Sequence, residues 1–464
     1  MNNDELECKA PAGIFRAYDI RGIYAEELNE KLMRLIGGAV ASEALAVGID
    51  TLLCARDARL SSPALFAELK AGILSAGCNV VDLGIVPTPL LYFATHTLQW
   101  QSGVMLTASH NPAIYNGLKV VLNRSSLADN QIQAIRRRIE YGELATGTGH
   151  AVELDAKCTY IEHIVTNLRL ARPVKVVLDC GNAVTSVIAP ALFRALGCEV
   201  VPLFCELDGS FPNHEPDPTQ PENMRALQQR VTETGAYLGI AFDGDGDRLG
   251  LVADNGALID ADQLMLLLIK DLVPYFDQPR VIFDVKCSNR LARAISACGG
   301  IPVMNRSGHS FMKQKMQETG AILGGEYAAH IFIRDRWFGF DDGMYAAARV
   351  LEILTRSNRT SSEQMEPPGT IFSTTEIKVP VFEKTKFALM EKILTLARFD
   401  NAELILLDGI RAEFDDGWGL VRASNTSPAL LLRFEANTAA SLERIKEQFR
   451  ELLLRADNSL DVTF

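Results

Sequence analysis

The feature that most constrains the fold of this chain is a plan that it repeats three times. Each copy has an apolar run that ends near an Asp, then a helix-like stretch, then Gly and a second apolar run. The first runs are TLLCARDARL, VKVVLDCGN and RVIFDVKCSN, and their partners are GCNVVDLG, GCEVVPL and GGIPVM. A continuous apolar strand, a helix and a second strand are typical of a βαβ unit in a mostly parallel sheet. We therefore expect three similar α/β domains instead of one large sheet.

The character of the chain changes after the third copy. The segment SNRTSSEQMEPPGT (357–370) is polar and ends in Pro-Pro-Gly, which predicts a linker. The rest predicts strand, helix, strand, strand and helix, in the order TTEIKVPV, KFALMEKILTLA, LILLDGIRAEF, PALLLRFEA and SLERIKEQFRELLLRA. This pattern indicates an α+β fourth domain on a flexible joint. We expect the four domains to span residues 1–154, 155–256, 257–367 and 368–464.

Length, charge and cysteine content narrow the class of protein. At 464 residues the chain is too long for one core, and its net charge of -12 argues against general nucleic-acid binding. An anionic substrate would therefore need a local basic pocket. The nine cysteines are scattered without a C-x-x-C pair, which is typical of reduced thiols. The start, MNNDELE, shows no signal peptide, and LMLLLI (264–269) is far too short for a bilayer span. We expect a soluble, cytoplasmic protein that binds neither nucleic acid nor membrane.

The strongest metal signal is AFDGDGDRLGLV (241–252). It crowds the carboxylates of Asp243, Asp245 and Asp247 together, which is tolerable only with a cation or strong hydrogen bonding. An EF-hand would need Gly where this chain has Arg248 and Glu where it has Asp254. Apolar strands on both sides would pin the loop at a sheet end. The loop predicts a Mg²⁺ site that also holds a substrate phosphate; the alternative is an acidic, solvated turn.

A serine and a histidine are neighbours in TASHNP (107–112). A hydrolase serine normally sits on a G-x-S-x-G elbow and takes its histidine from elsewhere in the chain. The side chains of Ser109 and His110, in contrast, should point apart in most backbone geometries. A serine near Mg²⁺ suits phosphoryl transfer, in which positioning and charge neutralisation dominate. His110 and Lys119 would then stabilise phosphate charge or move the hydroxyl proton; the alternative is a simple turn.

Three further stretches are ambiguous on their own. RASNTSP (422–428) offers several donors in a compact turn that could cradle a phosphate, although such residues are also common in ordinary turns. GGEYAAHIFIRD (324–335) places Glu326 after a Gly-Gly turn, where it is either a solvated loop residue or an acceptor for sugar hydroxyls. In RSGHS (306–310), His309 is either structural or a ligand contact.

Taken in order, FRAYDIRG, TASHNP, DGDGDR, GEYAAH and RASNTSP resemble the motifs of the α-D-phosphohexomutase superfamily. The resemblance is closest to its bacterial bifunctional phosphomannomutase/phosphoglucomutase branch, covers essentially the whole chain and includes RWFGFDDG (336–343). It implies three topologically similar α/β domains with mixed, mostly parallel sheets and a C-terminal α+β domain, arranged around a central cleft. The domains would carry, in turn, a phosphoserine loop, a Mg²⁺ loop, a sugar-binding loop and a phosphate-binding loop.

The resemblance also implies an activity. The chain would be an intramolecular phosphotransferase that interconverts hexose 1-phosphates and 6-phosphates, those of mannose, glucose or both. Its phosphoserine would make a glucose or mannose 1,6-bisphosphate, which serves as intermediate and activator, and would then take back the other phosphate. We expect a monomer that acts on small-molecule hexose phosphates. The alternatives are a phosphoglucosamine mutase and a non-catalytic sugar-phosphate binding protein; a Mg²⁺ phosphatase would not need a two-ended phosphate clamp.

The family's functional positions can be carried over motif by motif. The implied metal ligands are Asp243, Asp245, Asp247 and a phosphate oxygen on Ser109. The implied catalytic residues are Ser109, His110, Lys119, Arg21, Arg248 and His330, of which Lys119 and His330 are the candidates for proton transfer. The implied substrate-binding residues are Tyr18, Lys286, His309, Glu326, Arg422, Ser424, Asn425 and Thr426.

Three positions depart from the family pattern. The sugar-binding glutamate is followed here by Tyr327, Ala328 and Ala329, so a serine that would contact a sugar hydroxyl is absent. Gln263 stands where close relatives often have an arginine, and Ala183 stands where a glycine is frequent.

Overall fold

A computed structural model describes residues 10–365, 369–424 and 427–464. It contains four sheets, three of them mixed and one antiparallel, and each packs with helices. This four-part α/β architecture confirms the expected fold class. The boundaries between the domains stay a proposal, and the Pro-Pro of the expected linker lies outside the described residues.

Domain I is built on a seven-stranded sheet in the order β1-β5-β4-β2-β3-β7, with β6 beside β5. Its strands are β1 (Ile20–Ile23), β2 (Thr51–Arg56), β3 (Asn79–Ile85), β4 (Gly103–Leu106), β5 (Tyr115–Leu122), β6 (Ser125–Ser126) and β7 (Ala151–Glu153). Its helices are α1 (Glu30–Ala46), α2 (Ser62–Ser75), α3 (Thr88–Thr97) and α4 (Asn130–Tyr141). The first predicted βαβ unit is present, since β2 and β3 flank α2 and pair in parallel.

Domain II has a five-stranded sheet in the order β12-β11-β10-β8-β9. Its elements are α5 (Lys157–Asn167), β8 (Lys175–Asp179), α6 (Ala189–Ala195), β9 (Glu199–Leu203), α7 (Arg225–Thr234), β10 (Leu238–Phe242), β11 (Leu249–Ala253) and β12 (Leu258–Ile259). The second predicted unit, β8-α6-β9, is parallel. Strands β10 and β11 form an antiparallel hairpin whose loop is the acidic motif.

Domain III has a four-stranded sheet in the order β14-β13-β15-β16. Its elements are α8 (Ala261–Leu272), β13 (Arg280–Asp284), α9 (Asn289–Ala297), β14 (Ile301–Asn305), α10 (His309–Thr319), β15 (Leu323–Gly325), β16 (Ile331–Ile333), α11 (Gly343–Leu354) and α12 (Ser361–Gln364). The third predicted unit, β13-α9-β14, is again parallel. Short 3₁₀ helices elsewhere cover Ala12–Ile14, Val184–Val187, Pro221–Met224 and Val273–Tyr275.

Domain IV has six strands where its sequence predicts three. Its elements are β17 (Phe372–Ser373), β18 (Ile377–Pro380), α13 (Lys386–Leu396), β19 (Glu403–Ile405), β20 (Ile410–Phe414), β21 (Gly417–Ala423), β22 (Ala429–Ala436) and α14 (Ala439–Ala456). The expected single strand LILLDGIRAEF is an antiparallel pair, β19 and β20, because Gly409 has a left-handed φ of 79° that turns the chain. Strand β21 was not expected, since its glycines weaken the strand signal.

Buried arginines join domain IV to domain III beside the covalent connection. Arg411 donates to the carbonyl of Cys287 at 2.8 Å, and Arg433 donates to the carbonyl of Lys286 and pairs with Asp262 at 3.0 Å. The expected flexible joint therefore carries contacts that any separation of the two domains must break.

Two of the departures from the family pattern have simple structural roles. Gln263 completes a capping box with Asp260 at the start of α8, and its amide also donates to the carbonyl of Met365 at 3.1 Å. Ala183 has a φ of -91°, which any residue adopts, so glycine is not required there. No helix in the described ranges has both the length and the apolar character that a bilayer span needs.

Candidate active site

A cleft of ≈ 880 Å³ brings together side chains from all four domains. Among the residues predicted from the sequence, it is lined by Tyr18, Arg21, Ser109, His110, Lys119, Arg248, Lys286, His309, Glu326, His330, Arg422 and Ser424. Asn425 and Thr426 lie outside the described residues. Motifs that are hundreds of residues apart thus converge on one cavity.

The acidic loop lies at the base of this cleft, between β10 and β11. Asp243, Asp245 and Asp247 are each 0% exposed, and their ligand oxygens lie within 4.8 Å of one another. The alternative of a solvated acidic turn is therefore wrong. A Cβ on Gly244 would stand 2.2 Å from the carbonyl oxygen of Ser109, so only glycine lets the acidic loop touch the serine loop.

The donor set of this loop fits a hard cation. Asp245 Oδ1 and Asp247 Oδ1 are buried, and no group in the described part of the chain hydrogen-bonds to them. The Nζ atom of Lys119 donates to Asp245 Oδ2 at 2.6 Å and also to Asp247 Oδ2. Burial and the two neighbouring carboxylates raise the pKa of Asp243 well above its usual value. Carboxylate oxygens are the ligands that Mg²⁺ prefers, and a bound cation would offset this repulsion.

Ser109 is held against the acidic loop. It is 2% exposed, and its Oγ donates to Asp243 Oδ2 at 2.7 Å. His110 Nδ1 lies 3.2 Å from the same Oγ, so the expectation that the two side chains point apart is wrong. That expectation assumed a common backbone geometry, whereas Ser109 has a left-handed φ of 49°. Burial, Arg248 and Arg21 lower the pKa of His110 well below its usual value, which favours a neutral ring beside the hydroxyl.

A buried arginine that the sequence analysis missed shapes the serine loop. Arg59 is 1% exposed, and its Nε pairs with Asp57 at 3.1 Å. Its guanidinium donates to four carbonyls, those of Ser109 (2.7 Å), Asn111 (2.6 Å), Pro112 (2.6 Å) and Tyr115 (3.1 Å). Arg59 stands in TLLCARDARL, a stretch from which the sequence analysis predicts a strand and no functional residue. Backbone carbonyls of a distant loop produce no recognisable pattern in the sequence around the arginine.

His330 connects the acidic loop with a second buried charge cluster. Its Nε2 accepts from Arg248 Nε at 3.0 Å, and its Nδ1 faces Asp341 Oδ2 at 3.1 Å and Asp247 Oδ1 at 3.4 Å. Lys313 pairs with the other oxygen of Asp341 at 2.8 Å. Asp341 belongs to RWFGFDDG, which we matched to the family without giving this residue a role, and Lys313 was missed altogether.

His309 lies beside the same cluster. Its Nδ1 is 3.0 Å from Lys313 Nζ, and its ring stacks on that of His330 with centroids 5.6 Å apart. The ring of Tyr18 meets it edge-on at 5.0 Å. Burial and the charge of Lys313 lower the pKa of His309 well below its usual value. His309 is therefore a buried wall of the cleft that joins domain III to Tyr18 of domain I.

Glu326 follows β15 and is 2% exposed, so it is not a solvated loop residue. The expected Gly-Gly turn before it is also wrong, because Gly325 is part of the strand. A Cβ on Gly325 would lie 2.3 Å from Met265 Sδ, which explains the glycine. Glu326 Oε1 accepts from the backbone N–H of Gly308 at 2.6 Å, whereas its Oε2 is buried without a hydrogen-bond partner in the described ranges. An acceptor with spare capacity therefore faces the cleft, and burial raises its pKa.

The opposite end of the cleft is basic. Arg422 lies on β21 instead of in the expected turn, and its Nε pairs with Asp408 at 2.9 Å. Lys286 pairs with Glu376 at 3.2 Å. Ser424 continues the chain from β21 and accepts from the N–H of Ser427 at 3.1 Å. Arg422 remains a candidate for binding an anion, with a rigid strand behind it.

The arrangement defines an enzyme site for phosphate chemistry. A buried serine and a carboxylate loop suited to Mg²⁺ lie at one end, and guanidinium, ammonium and hydroxyl groups lie at the other. Such a site can bind a phosphorylated small molecule by both ends and move a phosphoryl group at the serine end.

Comparison with known proteins agrees with this class. Four family models match in order: phosphoglucomutase/phosphomannomutase alpha/beta/alpha domain I over residues 12–145, domain II over 158–256, domain III over 260–370 and the C-terminal domain over 376–452. The chain belongs to the phosphoglucomutase/phosphomannomutase family.

Individual relatives cover nearly all of the chain. It is 50% identical to a phosphomannomutase/phosphoglucomutase of Pseudomonas aeruginosa, over 98% of both chains, and 43% identical to a phosphoglucomutase of Neisseria gonorrhoeae, over 95% of this chain and 96% of that protein. The crystal structure of a phosphoglucomutase/phosphomannomutase family protein from Burkholderia thailandensis superposes with a TM-score of 0.92 at 43% identity, covering 97% of this chain and 99% of the other.

Proposed function

We propose that this chain is a cytoplasmic, monomeric phosphohexomutase that interconverts the 1-phosphates and 6-phosphates of mannose and glucose. Ser109 carries the phosphoryl group, and a 1,6-bisphosphate of the hexose is the intermediate and activator. The observation that carries the proposal is the contact of Ser109 Oγ with Asp243 at 2.7 Å, at one end of a cleft whose other end is basic. The Pseudomonas relative is a phosphomannomutase/phosphoglucomutase and the Neisseria relative is a phosphoglucomutase, which supports mannose and glucose phosphates as substrates.

The acidic loop and its neighbours serve the transferring phosphoryl group. Asp243, Asp245 and Asp247 would hold Mg²⁺, which would supply positive charge that neutralises the phosphate. Arg21 and Arg248 add positive charge from the cleft wall, where Arg21 Nη1 is fixed by Asn111 Oδ1 at 2.7 Å. Because phosphoryl transfer depends on positioning and electrostatics, these groups do most of the work.

Proton transfer falls to groups beside Ser109 and the sugar. The neutral ring of His110 accepts or returns the hydroxyl proton when Ser109 is not phosphorylated. Lys119 and His330 are the candidates for proton transfer with the sugar hydroxyls. The contact of His330 with Asp341 orients its ring for this role.

The remaining residues hold the substrate in either direction. Glu326 accepts hydrogen bonds from sugar hydroxyls, with Lys286 and His309 beside it. Arg422 and Ser424 hold the phosphate that does not react, together with Tyr18, Asn425 and Thr426. After the first transfer the bisphosphate turns over in the cleft, so that its other phosphate returns to Ser109.

A coupled assay with mannose, glucose and glucosamine 1-phosphates, each with a trace of the 1,6-bisphosphate, tests the substrate. We expect turnover of the mannose and glucose phosphates, whereas turnover of the glucosamine phosphate alone would overturn the substrate assignment.

The mechanism is tested by the mass of the intact protein. We expect one added phosphate that is absent from Ser109→Ala, together with loss of turnover in that variant. The matched control is Ser126→Ala, which changes a partly exposed serine in the sheet of domain I. This variant should keep both the phosphate and the activity. Full turnover of Ser109→Ala would refute the phosphoserine mechanism.

A further inference from the structure

A pair of thiols lies outside the cleft, at the carboxyl ends of two neighbouring strands of domain II. The sulfur atoms of Cys180 and Cys205 are 3.4 Å apart, within hydrogen-bond distance for sulfur. All eight cysteines of the described ranges are free thiols. In those ranges no other two cysteines are hydrogen-bonded to each other.

The backbone explains why these two side chains meet. Strands β8 and β9 are parallel with Asp179 opposite Leu203, and Cys180 extends the pairing through its N–H, which donates to the carbonyl of Leu203 at 3.2 Å. Regular alternation would then set Phe204 beside Cys180 and turn Cys205 to the other face. Phe204 has a left-handed φ of 48°, which breaks the alternation and brings Cys205 to the side of Cys180.

The two thiols differ in access and in acidity. Cys180 is fully buried, whereas Cys205 is partly exposed. The hydrogen bond between the two sulfur atoms lowers the pKa of the Cys205 thiol, and the same bond together with burial raises the pKa of Cys180. The accessible sulfur is thus the better nucleophile, and the buried one is placed to react with it next.

We propose that Cys180 and Cys205 are a redox modification site that closes to a reversible disulfide with a peroxide as the oxidant. The Cys205 thiolate attacks the peroxide, forms a sulfur–oxygen bond and releases water or an alcohol as the oxygen–oxygen bond breaks. The Cys180 sulfur then displaces hydroxide from the sulfenic acid, and the hydroxide leaves as water with the Cys180 proton. In sum, two thiols are oxidised to one disulfide and one peroxide is reduced.

The crosslink would fasten the end of β8 to the loop that follows β9. Asn182, in the turn after Cys180, already holds this loop: its Nδ2 donates to the carbonyl of Glu206 at 2.9 Å, and its Oδ1 accepts from Asn213 at 2.7 Å. The loop continues to Pro216, whose carbonyl accepts from the N–H of Gly244 in the acidic loop at 3.0 Å. Oxidation would therefore stiffen a segment that reaches the base of the cleft.

Peptide mapping of the full chain tests the site. Trypsin releases residues 176–194, with Cys180, and residues 195–225, with Cys198 and Cys205. After treatment with hydrogen peroxide and blocking of free thiols, we expect these fragments to be joined, two hydrogens lighter than their sum, and to separate with dithiothreitol.

Three variants locate the bond. Cys205→Ala and Cys180→Ala should lose the joined fragments, and Cys198→Ser, on the same fragment as Cys205, should keep them. Far-ultraviolet circular dichroism shows whether each variant is folded. The proposal is overturned if the joining depends on Cys198, or if the exposed Cys158 is oxidised while wild-type Cys180 and Cys205 stay reduced. Oxidation of this pair does not depend on whether the chain transfers phosphate.

Discussion

The two ends of the cleft differ in how completely their buried charges are paired. At the Ser109 end three aspartates are fully covered, and two of their oxygens have no hydrogen-bond partner in the described ranges. At the Arg422 end a guanidinium and the ammonium of Lys286 are each paired with one carboxylate. The unpartnered carboxylate oxygens of the first end suit a bound cation, whereas the planar fork of Arg422 at the second end suits a phosphate. In the proposed function, this difference separates the place where phosphate is transferred from the place where it is only held.

The two ends also differ in how their parts are joined. At the Ser109 end domains I and II bond to each other through candidate site residues, as Lys119 does with Asp245 at 2.6 Å. At the Arg422 end the joint between domains III and IV is made by Arg411 and Arg433, which stand behind the cleft. The first end is thus preorganised by the same groups to which we assign the phosphoryl transfer. Substitutions there should change kcat, and substitutions at the second end should change KM.

The largest effect is expected for Asp245→Asn at the Ser109 end. Removing one of three carboxylates weakens Mg²⁺ binding, while the fold survives because the repulsion among the remaining charges falls. Activity should fall by roughly 100-fold or more, since electrostatic contributions of this kind are about 3 kcal/mol. The measurement is kcat as a function of Mg²⁺ concentration. Asp277→Asn, the same charge change on an exposed residue, is the control, and unchanged Mg²⁺ dependence in Asp245→Asn would contradict the metal assignment.

Arg59→Lys should come next. One ammonium cannot bond four carbonyls of the serine loop, so Ser109 moves relative to the substrate, and a misplacement of about 1 Å can cost on the order of 100-fold in rate. We expect kcat to fall by about that factor with little change in KM. Steady-state kinetics of Arg56→Lys, a half-buried arginine at the end of β2 three residues before Arg59, gives the control. A raised KM at constant kcat would mean that Arg59 acts on substrate binding instead.

At the other end, Arg422→Lys should act on binding. Lysine keeps the charge but loses the planar fork that matches a phosphate, which we expect to raise KM about 10-fold, or about 1.4 kcal/mol. The value of kcat should change less, because this phosphate is held in the ground state as well as in the transition state. Arg398→Lys, on an exposed arginine, serves as the control. A fall in kcat without a change in KM would contradict the proposal that the Arg422 end acts on substrate binding and the Ser109 end on the rate of transfer.

The smallest effect is expected for Ala328→Ser. Ala328 lines the cleft beside Glu326, and a hydroxyl there would add one neutral hydrogen bond to the sugar, worth about 0.5–1.5 kcal/mol, or roughly 2- to 13-fold in affinity. The neighbouring Tyr327 is engaged elsewhere, because the guanidinium of Arg433 stacks on its ring at 3.8 Å. KM for the hexose phosphate should fall several-fold at nearly constant kcat. An unchanged or higher KM would place the role of Glu326 in doubt.

The sequence was sufficient to predict the features that are formed by residues close together in the chain. Each βαβ unit was visible because strand, helix and strand are adjacent in the chain. The acidic loop was visible because three carboxylates in one turn are unusual, and Ser109 was interpreted through them. The family resemblance then linked distant motifs into one cleft.

What the sequence did not predict depends on tertiary packing. Arg59 bonds backbone carbonyls, which every residue has, so nothing in TASHNP points to it. Asp341 and Lys313 matter because they lie beside a buried histidine that contacts another domain. No spacing of residues in the sequence reveals such an arrangement. The contact of Ser109 with His110 depends on a left-handed backbone that the surrounding loops impose. The missed strand β21 is rich in glycine and is held by its neighbours β20 and β22.

The grip of Arg59 on the serine loop has a consequence for how the proposed cycle is sustained. Because the Ser109 loop is held in place, only the bisphosphate can reorient between the two transfers. Each reorientation therefore competes with dissociation of the bisphosphate into solution. An enzyme molecule that loses this intermediate has an unphosphorylated Ser109 and stays inactive until another bisphosphate binds. The fraction of working molecules would then follow the bisphosphate concentration around them, and turnover measured in dilute solution would decline with time unless the bisphosphate is replenished.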